Sequence, residues 1–84
     1  MDWTAFRAEF PVTRQWAFLD HAAVAPLPAP AAAALREYAE SLASHGIGAI
    51  SKWTHRVREV RALAARLLNA APEEIAFIKN TSEG

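Results

Sequence analysis

Small and hydroxylated residues follow a short apolar run near the end of the sequence. The run covers Ile75–Ile78, and residues 80–84 read Asn-Thr-Ser-Glu-Gly. This pattern indicates a strand followed directly by a helix. At such a junction the amides and hydroxyls of Thr81 and Ser82 can converge on one point, and the helix N-terminus adds partial positive charge there. Such a junction would bind an anion, most simply a phosphate. The alternative is a plain helix cap, in which Thr81 or Ser82 binds the first turn of its own helix.

The elements that must position this junction begin with a short aromatic helix. Asp2 can cap it, and Trp3, Phe6 and Phe10 recur at helical spacing before Pro11 ends it. Three aromatic side chains on one short face need a surface to contact. We therefore predict that this face docks on a larger domain, in preference to forming an aromatic ligand cage.

Two long amphipathic helices are predicted in the middle of the chain. Pro28 or Pro30 opens the first, because proline is tolerated in a first helical turn, and this helix finishes around residues 44–46. Residues 46–50 are expected to be a flexible apolar link. A second long helix then follows the link.

Ser51 or Thr54 is predicted to cap this second long helix, Asn69 to end it, and Pro72 to forbid its continuation. Its apolar stripe includes Trp53. Three of its basic side chains fall away from that stripe and are predicted to form a solvated face: Arg58, Arg61 and Arg66.

Two short strands complete the predicted elements. The first lies within Gln15–Asp20, and the second is Ile75–Ile78, whose apolar side chains predict burial on both faces.

Composition limits the possible partners. The 84 residues carry nine basic and nine acidic side chains and no cysteine. Zero net charge argues against a nucleic-acid partner, and the absence of thiolates and of clustered histidines argues against a metal site. No signal peptide and no apolar run of membrane-spanning length is visible, so we expect a cytoplasmic protein without a membrane partner.

Three blocks in order resemble the class V aminotransferase and cysteine desulfurase family of pyridoxal-phosphate enzymes. They are Phe-Leu-Asp-His-Ala-Ala at 18–23 with Pro26 following, Ala-Ala-Arg-Leu-Leu-Asn at 64–69, and Pro-Glu-Glu-Ile-Ala-Phe at 72–77 running into 80–84. The resemblance implies an α/β protein, a fold type I enzyme, of which this chain is the mainly helical amino-terminal segment with two short strands. Residues 1–74 would then be the entry segment and helices, and residues 75–84 the start of the large cofactor-binding domain.

The resemblance also implies roles for particular residues. Thr81 and Ser82 match the family pair that binds the phosphate of pyridoxal 5'-phosphate, although Asn80 stands where the family usually has glycine or alanine. His21, Ala22 and Ala23 match a turn beside the substrate, with His21 in place of the commoner asparagine. The family's catalytic residues lie downstream of this segment, so none is expected here. Neither Lys52 nor Lys79 is assigned to the cofactor.

For the whole protein, the resemblance implies an amino-acid or amine substrate and a homodimer. The sequence of residues 80–84 and the sequence around Trp53 look most like the isopenicillin N epimerase branch. Residues 45–53 lack the serine-rich stretch typical of cysteine desulfurases, which counts against that activity. We expect the chain to continue past Gly84 and to be inactive alone. The alternative is a free-standing helical interaction module that binds a partner through its aromatic face.

Overall fold

The computed structural model describes all 84 residues and contains three α-helices. They are α1 (Trp3–Ala8), α2 (Ala29–His45) and α3 (Ile50–Leu68), with short 3-10 helices at Pro11–Arg14, Gly46–Ala49 and Pro72–Glu74. The chain divides into two compact units, Met1–Ser44 and His45–Gly84. No helix combines the length and the apolarity that crossing a membrane requires.

Helix α1 begins at the predicted cap. The Asp2 carboxylate accepts the amides of Thr4 and Ala5 at 3.0 and 3.1 Å, which satisfies two donors of the first turn. The helix ends at Ala8, earlier than the aromatic spacing predicted, and Phe10 lies beyond it with an extended backbone. Asp2 is thus confirmed as the cap.

Helix α2 has the predicted limits. It begins at Ala29, with Pro30 in the first turn where no amide is needed, and the carbonyl of Pro28 accepts the first bond, from the Ala32 amide, at 3.1 Å. It ends at His45, within the predicted range. The proline signal and the predicted end are both confirmed.

The connection between α2 and α3 differs from the prediction. Residues Gly46–Ala49 form a 3-10 helix that leads directly into α3, and Gly46 has a left-handed φ of 52°. Ala49 has a helical backbone, and Ile50 already donates to the Ile47 carbonyl. The first amides of α3 therefore lie against a preceding turn, and the prediction that Ser51 or Thr54 caps this helix is wrong.

Helix α3 ends at the predicted asparagine. Asn69 has a left-handed backbone, with φ 53° and ψ 48°, and its amide donates to the carbonyls of Ala65 and Arg66. Asparagine tolerates this conformation better than most side chains, and the bonds satisfy carbonyls at the helix end. Ala65, which is 2% exposed, and Ala49, which is 6% exposed, are the only buried hydrophobic residues.

Neither predicted strand is confirmed. Gln15 is in a turn, residues 16–20 and 75–78 have no regular structure, and Phe77 and Ile78 are 51% and 53% exposed rather than buried on two faces. Ile75 does have an extended backbone, with φ −102° and ψ 124°. An extended segment becomes a strand only when a neighbouring strand binds its amides and carbonyls, and the chain offers none here. The segment therefore has strand-like geometry at Ile75 without a sheet.

Candidate functional site

Residues 79–84 fold into a turn that Asn80 organises. The Asn80 side-chain oxygen and its carbonyl both accept the Glu83 amide, at 3.0 and 3.2 Å. The Glu83 carboxylate reaches back and accepts the Lys79 amide at 2.6 Å. This reciprocal pair resembles a capping box displaced by one residue, so the turn has the bonding of a helix N-terminus although only one turn is formed.

Thr81 and Ser82 lie in the middle of this turn and are exposed. Neither hydroxyl and neither amide makes a hydrogen bond within the chain. Because Asn80 supplies the cap, the alternative in which Thr81 or Ser82 caps its own helix is not what the structure contains. Two hydroxyls and two amides are left as donors on adjacent residues, and an anion is the natural acceptor for such a set.

The turn folds back on the segment that precedes it. A Cβ atom placed on Gly84 would lie 3.0 Å from the Ile78 side chain and 3.5 Å from the Thr81 carbonyl oxygen. A larger residue at position 84 would therefore need Ile78 to move. Glycine allows the backbone to approach closely at the point where the turn closes.

A second candidate feature lies in the unit Met1–Ser44. His21, Ala22 and Ala23 form a turn, the His21 amide donates to the Leu19 carbonyl at 3.0 Å, and the His21 ring lies 5.2 Å from the Phe18 ring. His21 borders an open pocket of about 430 Å³. The pocket is lined by Trp3, Phe6, Arg7, Phe10, Val12, Thr13, Phe18, His21 and Pro26.

The aromatic side chains of this pocket form a continuous wall. The rings of Trp3 and Phe6 are 6.1 Å apart and perpendicular, and those of Phe6 and Phe10 are 5.4 Å apart at 61°. Both are edge-to-face arrangements, which aromatic pairs favour. The sequence predicted this aromatic face and the His21 turn separately, and the structure brings them into one pocket. No spacing pattern could have joined them, because a 3-10 helix and an irregular segment separate them in the chain.

Arg61 makes contacts with residues after α3 that the sequence did not predict. It was predicted to lie on a solvated face, but it is half-buried, and its Nε donates to the Ile75 carbonyl at 3.3 Å. Its guanidinium carbon lies 5.2 Å from the centre of the Phe77 ring. A helical wheel shows only which side of its own helix Arg61 occupies, whereas these partners come from the chain after the helix.

Two other ionisable side chains make contacts within α3. His55 is exposed, and its Nε2 lies 2.8 Å from the Glu59 carboxylate one turn on. Lys52 Nζ lies 5.2 Å from the Trp53 ring. No three metal-ligating side chains come together. The candidate features are therefore the Thr81–Ser82 turn in one unit and the His21 turn with its aromatic pocket in the other.

The fold is that of a helical segment followed by a turn whose exposed donors are suited to an anion. Residues 17–84 match the family model described as Aminotransferase class-V. The chain belongs to this family, as its three sequence blocks predicted. The family is one of pyridoxal-phosphate-dependent enzymes of fold type I, so the α/β class applies to the complete domain, while the chain itself is helical.

Two curated relatives are similar over nearly all of the chain. One, from Methanothermobacter thermautotrophicus, is named "Probable cysteine desulfurase" and is 40% identical over 81 residues. The other, from Pyrococcus abyssi, has the same name and is 33% identical over 81 residues. In both cases 92% of this chain is covered, and the chain spans 20% of the relative's length. No solved structure matches the chain significantly.

Neither of these relatives carries an isopenicillin N epimerase name. That finer placement stays a prediction from residues 80–84 and Trp53. The roles of Thr81, Ser82 and the His21 turn also remain predictions, because a match of sequence to the family does not measure binding by these residues.

Proposed function

We propose that the chain is the amino-terminal segment of a pyridoxal-phosphate enzyme that acts on an amino acid or an amine. In this proposal Thr81 and Ser82 bind the cofactor phosphate, and His21, Ala22 and Ala23 border the substrate. The residues that perform the chemistry lie outside the segment, so the chain is inactive alone. Two copies of the complete enzyme form a homodimer.

One observation carries the proposal. Thr81 and Ser82 have hydroxyls and amides without partners in the chain, and the neighbouring Asn80 supplies the cap that they would otherwise be needed for. A pair that served only as a helix cap would be bonded to its own turn. The free donors therefore fit a phosphate, which can accept several hydrogen bonds on one group.

The residues would act by binding and orienting. Donation from Thr81 and Ser82 to the phosphate would hold one end of the cofactor at a fixed point. The bound cofactor would supply an electron sink for negative charge at the substrate's α-carbon. His21 is exposed at the edge of its pocket, so its imidazole is free to contact a substrate, while Ala22 and Ala23 allow close approach because their side chains are small.

The name of the two relatives makes L-cysteine the first substrate to test. The segment that joins α2 to α3 argues for testing others beside it, since residues 45–53 lack the serine-rich stretch of desulfurases. We propose an amino acid or amine as the substrate class, and a panel that includes L-cysteine, other amino acids and simple amines separates the candidates.

The proposal predicts that the full-length enzyme purifies with bound pyridoxal phosphate. We expect about one cofactor per chain, because one Thr81–Ser82 turn is present in each. Visible absorbance and chemical quantification of the released cofactor measure this. A full-length protein that is folded, yet neither contains the cofactor nor takes it up on addition, would contradict the proposal and would favour an interaction module.

A further inference from the structure

Arg61 connects α3 to the segment that leads into the Thr81–Ser82 turn. Its Nε donates to the Ile75 carbonyl at 3.3 Å, and its guanidinium lies 5.2 Å from the Phe77 ring centre. These partners are 14 and 16 positions further along the chain. The hydrogen bond is the only one between α3 and residues 75–84.

Few other hydrogen bonds hold this segment in place, although Ile75 is half-buried. The Ile75 amide bonds to the Pro72 carbonyl within the preceding 3-10 helix, and residues 76–78 make no backbone hydrogen bond. No strand lies beside them. The turn that Asn80 organises, residues 79–84, begins two residues after Phe77, so the position of Phe77 limits where the turn can lie.

Arginine is suited to making both contacts at once. Its guanidinium is planar, so Nε can donate along one edge while the face covers an aromatic ring. A lysine could approach the ring as a point charge but has no second donor fixed in the same plane. The contact therefore depends on this particular side chain rather than on positive charge alone.

We propose that Arg61 is a positioning residue for the phosphate-binding turn. It fixes Ile75 and Phe77 against α3, which places the donors of Thr81 and Ser82 before the cofactor binds. This inference rests on the proposed function, because it requires that the turn binds a phosphate.

The test uses the full-length enzyme freed of cofactor, with Arg61→Met and Arg61→Lys as variants and Arg66→Met as the matched control. Arg66 is exposed on the same helix, and no hydrogen bond joins its side chain to residues 75–84. We expect Arg61→Met to raise the Kd for pyridoxal phosphate about 10-fold, since one hydrogen bond and one cation–π contact are lost. Arg61→Lys should give a smaller rise, and Arg66→Met a change of less than about twofold, as is usual for an exposed side chain.

Amide hydrogen exchange in the cofactor-free enzyme gives a second reading. Arg61→Met should speed exchange in residues 75–84 while the thermal midpoint stays close to that of Arg66→Met, because the lost contacts are local. If Arg61→Met does not fold, Phe77→Leu removes the ring contact alone and should raise the Kd about threefold. An unchanged Kd in the folded variants would overturn the inference.

The inference and the proposed function fail in different ways. If replacing both Thr81 and Ser82 by alanine releases the cofactor but Arg61→Met does not, the turn binds the phosphate and Arg61 does not position it. If the double replacement leaves the cofactor bound, the proposed role of the turn is wrong, and the positioning role falls with it even if Arg61→Met weakens binding.

Discussion

A full-length enzyme carrying both Thr81→Ala and Ser82→Ala is expected to fold normally and to lose pyridoxal phosphate on dialysis. The double change removes two hydroxyl donors to a charged acceptor, each contributing roughly 1.5 to 3 kcal/mol, so cofactor affinity should fall about 100-fold or more. The backbone amides remain, and excess cofactor should therefore partly restore binding. Equilibrium titration of the cofactor-free variant measures the change.

The matched control is Ser44→Ala with Ser51→Ala. Both serines are exposed, and neither side chain makes a hydrogen bond within the chain. Asn80, rather than Thr81 or Ser82, caps the turn. The variant with Thr81→Ala and Ser82→Ala should therefore keep the thermal midpoint of the parent enzyme. Cofactor affinity equal to that of the control would show that Thr81 and Ser82 do not bind the phosphate.

The isolated 84-residue chain is expected to lack a sharp, cooperative thermal transition. Only Ala49 and Ala65 are buried, whereas large side chains such as Leu67 are 85% exposed. Burial on this scale offsets too little of the conformational entropy lost on folding.

Circular dichroism melts at several protein concentrations test this expectation. We expect a broad transition that shifts with concentration, because exposed apolar faces favour association. The full-length enzyme, in which the remaining chain can cover these faces, should melt cooperatively under the same conditions. A sharp transition of the isolated chain that does not depend on concentration would contradict the expectation.

The sequence predicted the helices because their signals are local. Asp2 caps α1, Pro30 lies in the first turn of α2, and Asn69 ends α3, each through contacts within a few residues. The start of α3 was missed because a 3-10 helix supplies what a serine or threonine cap would otherwise supply. The helix propensities of single residues say little about whether a 3-10 helix will lead directly into the next α-helix.

The two predicted strands were not confirmed, for a different reason. Ile75 has the backbone that its apolar run predicts, but a strand is defined by bonds to a neighbour, which no local pattern supplies. The prediction that Arg61 lies on a solvated face was wrong for the same reason, because its partners Ile75 and Phe77 come after the helix in the chain. Contacts between distant residues are the part of the candidate site that sequence could not predict.

The sequence singled out Thr81 and Ser82 as candidates for anion binding, but it did not give the bonding of their turn. The pattern left open whether Thr81 and Ser82 cap a helix or bind a phosphate, and only the Asn80 and Glu83 bonds separate the two. The aromatic pocket beside His21 combines two features that the sequence predicted independently. In both cases residue types drew attention to the feature, and the structure added the contacts that surround it.

A crystal structure of the full-length enzyme with bound pyridoxal phosphate tests the central claim most directly. The account predicts cofactor phosphate oxygens about 2.5 to 3.0 Å from the hydroxyl oxygens of Thr81 and Ser82, as for hydrogen bonds to a charged acceptor. Asn80 should keep its bond to the Glu83 amide. A phosphate bound elsewhere in the protein, with both hydroxyls turned to solvent or to their own helix, would contradict the account.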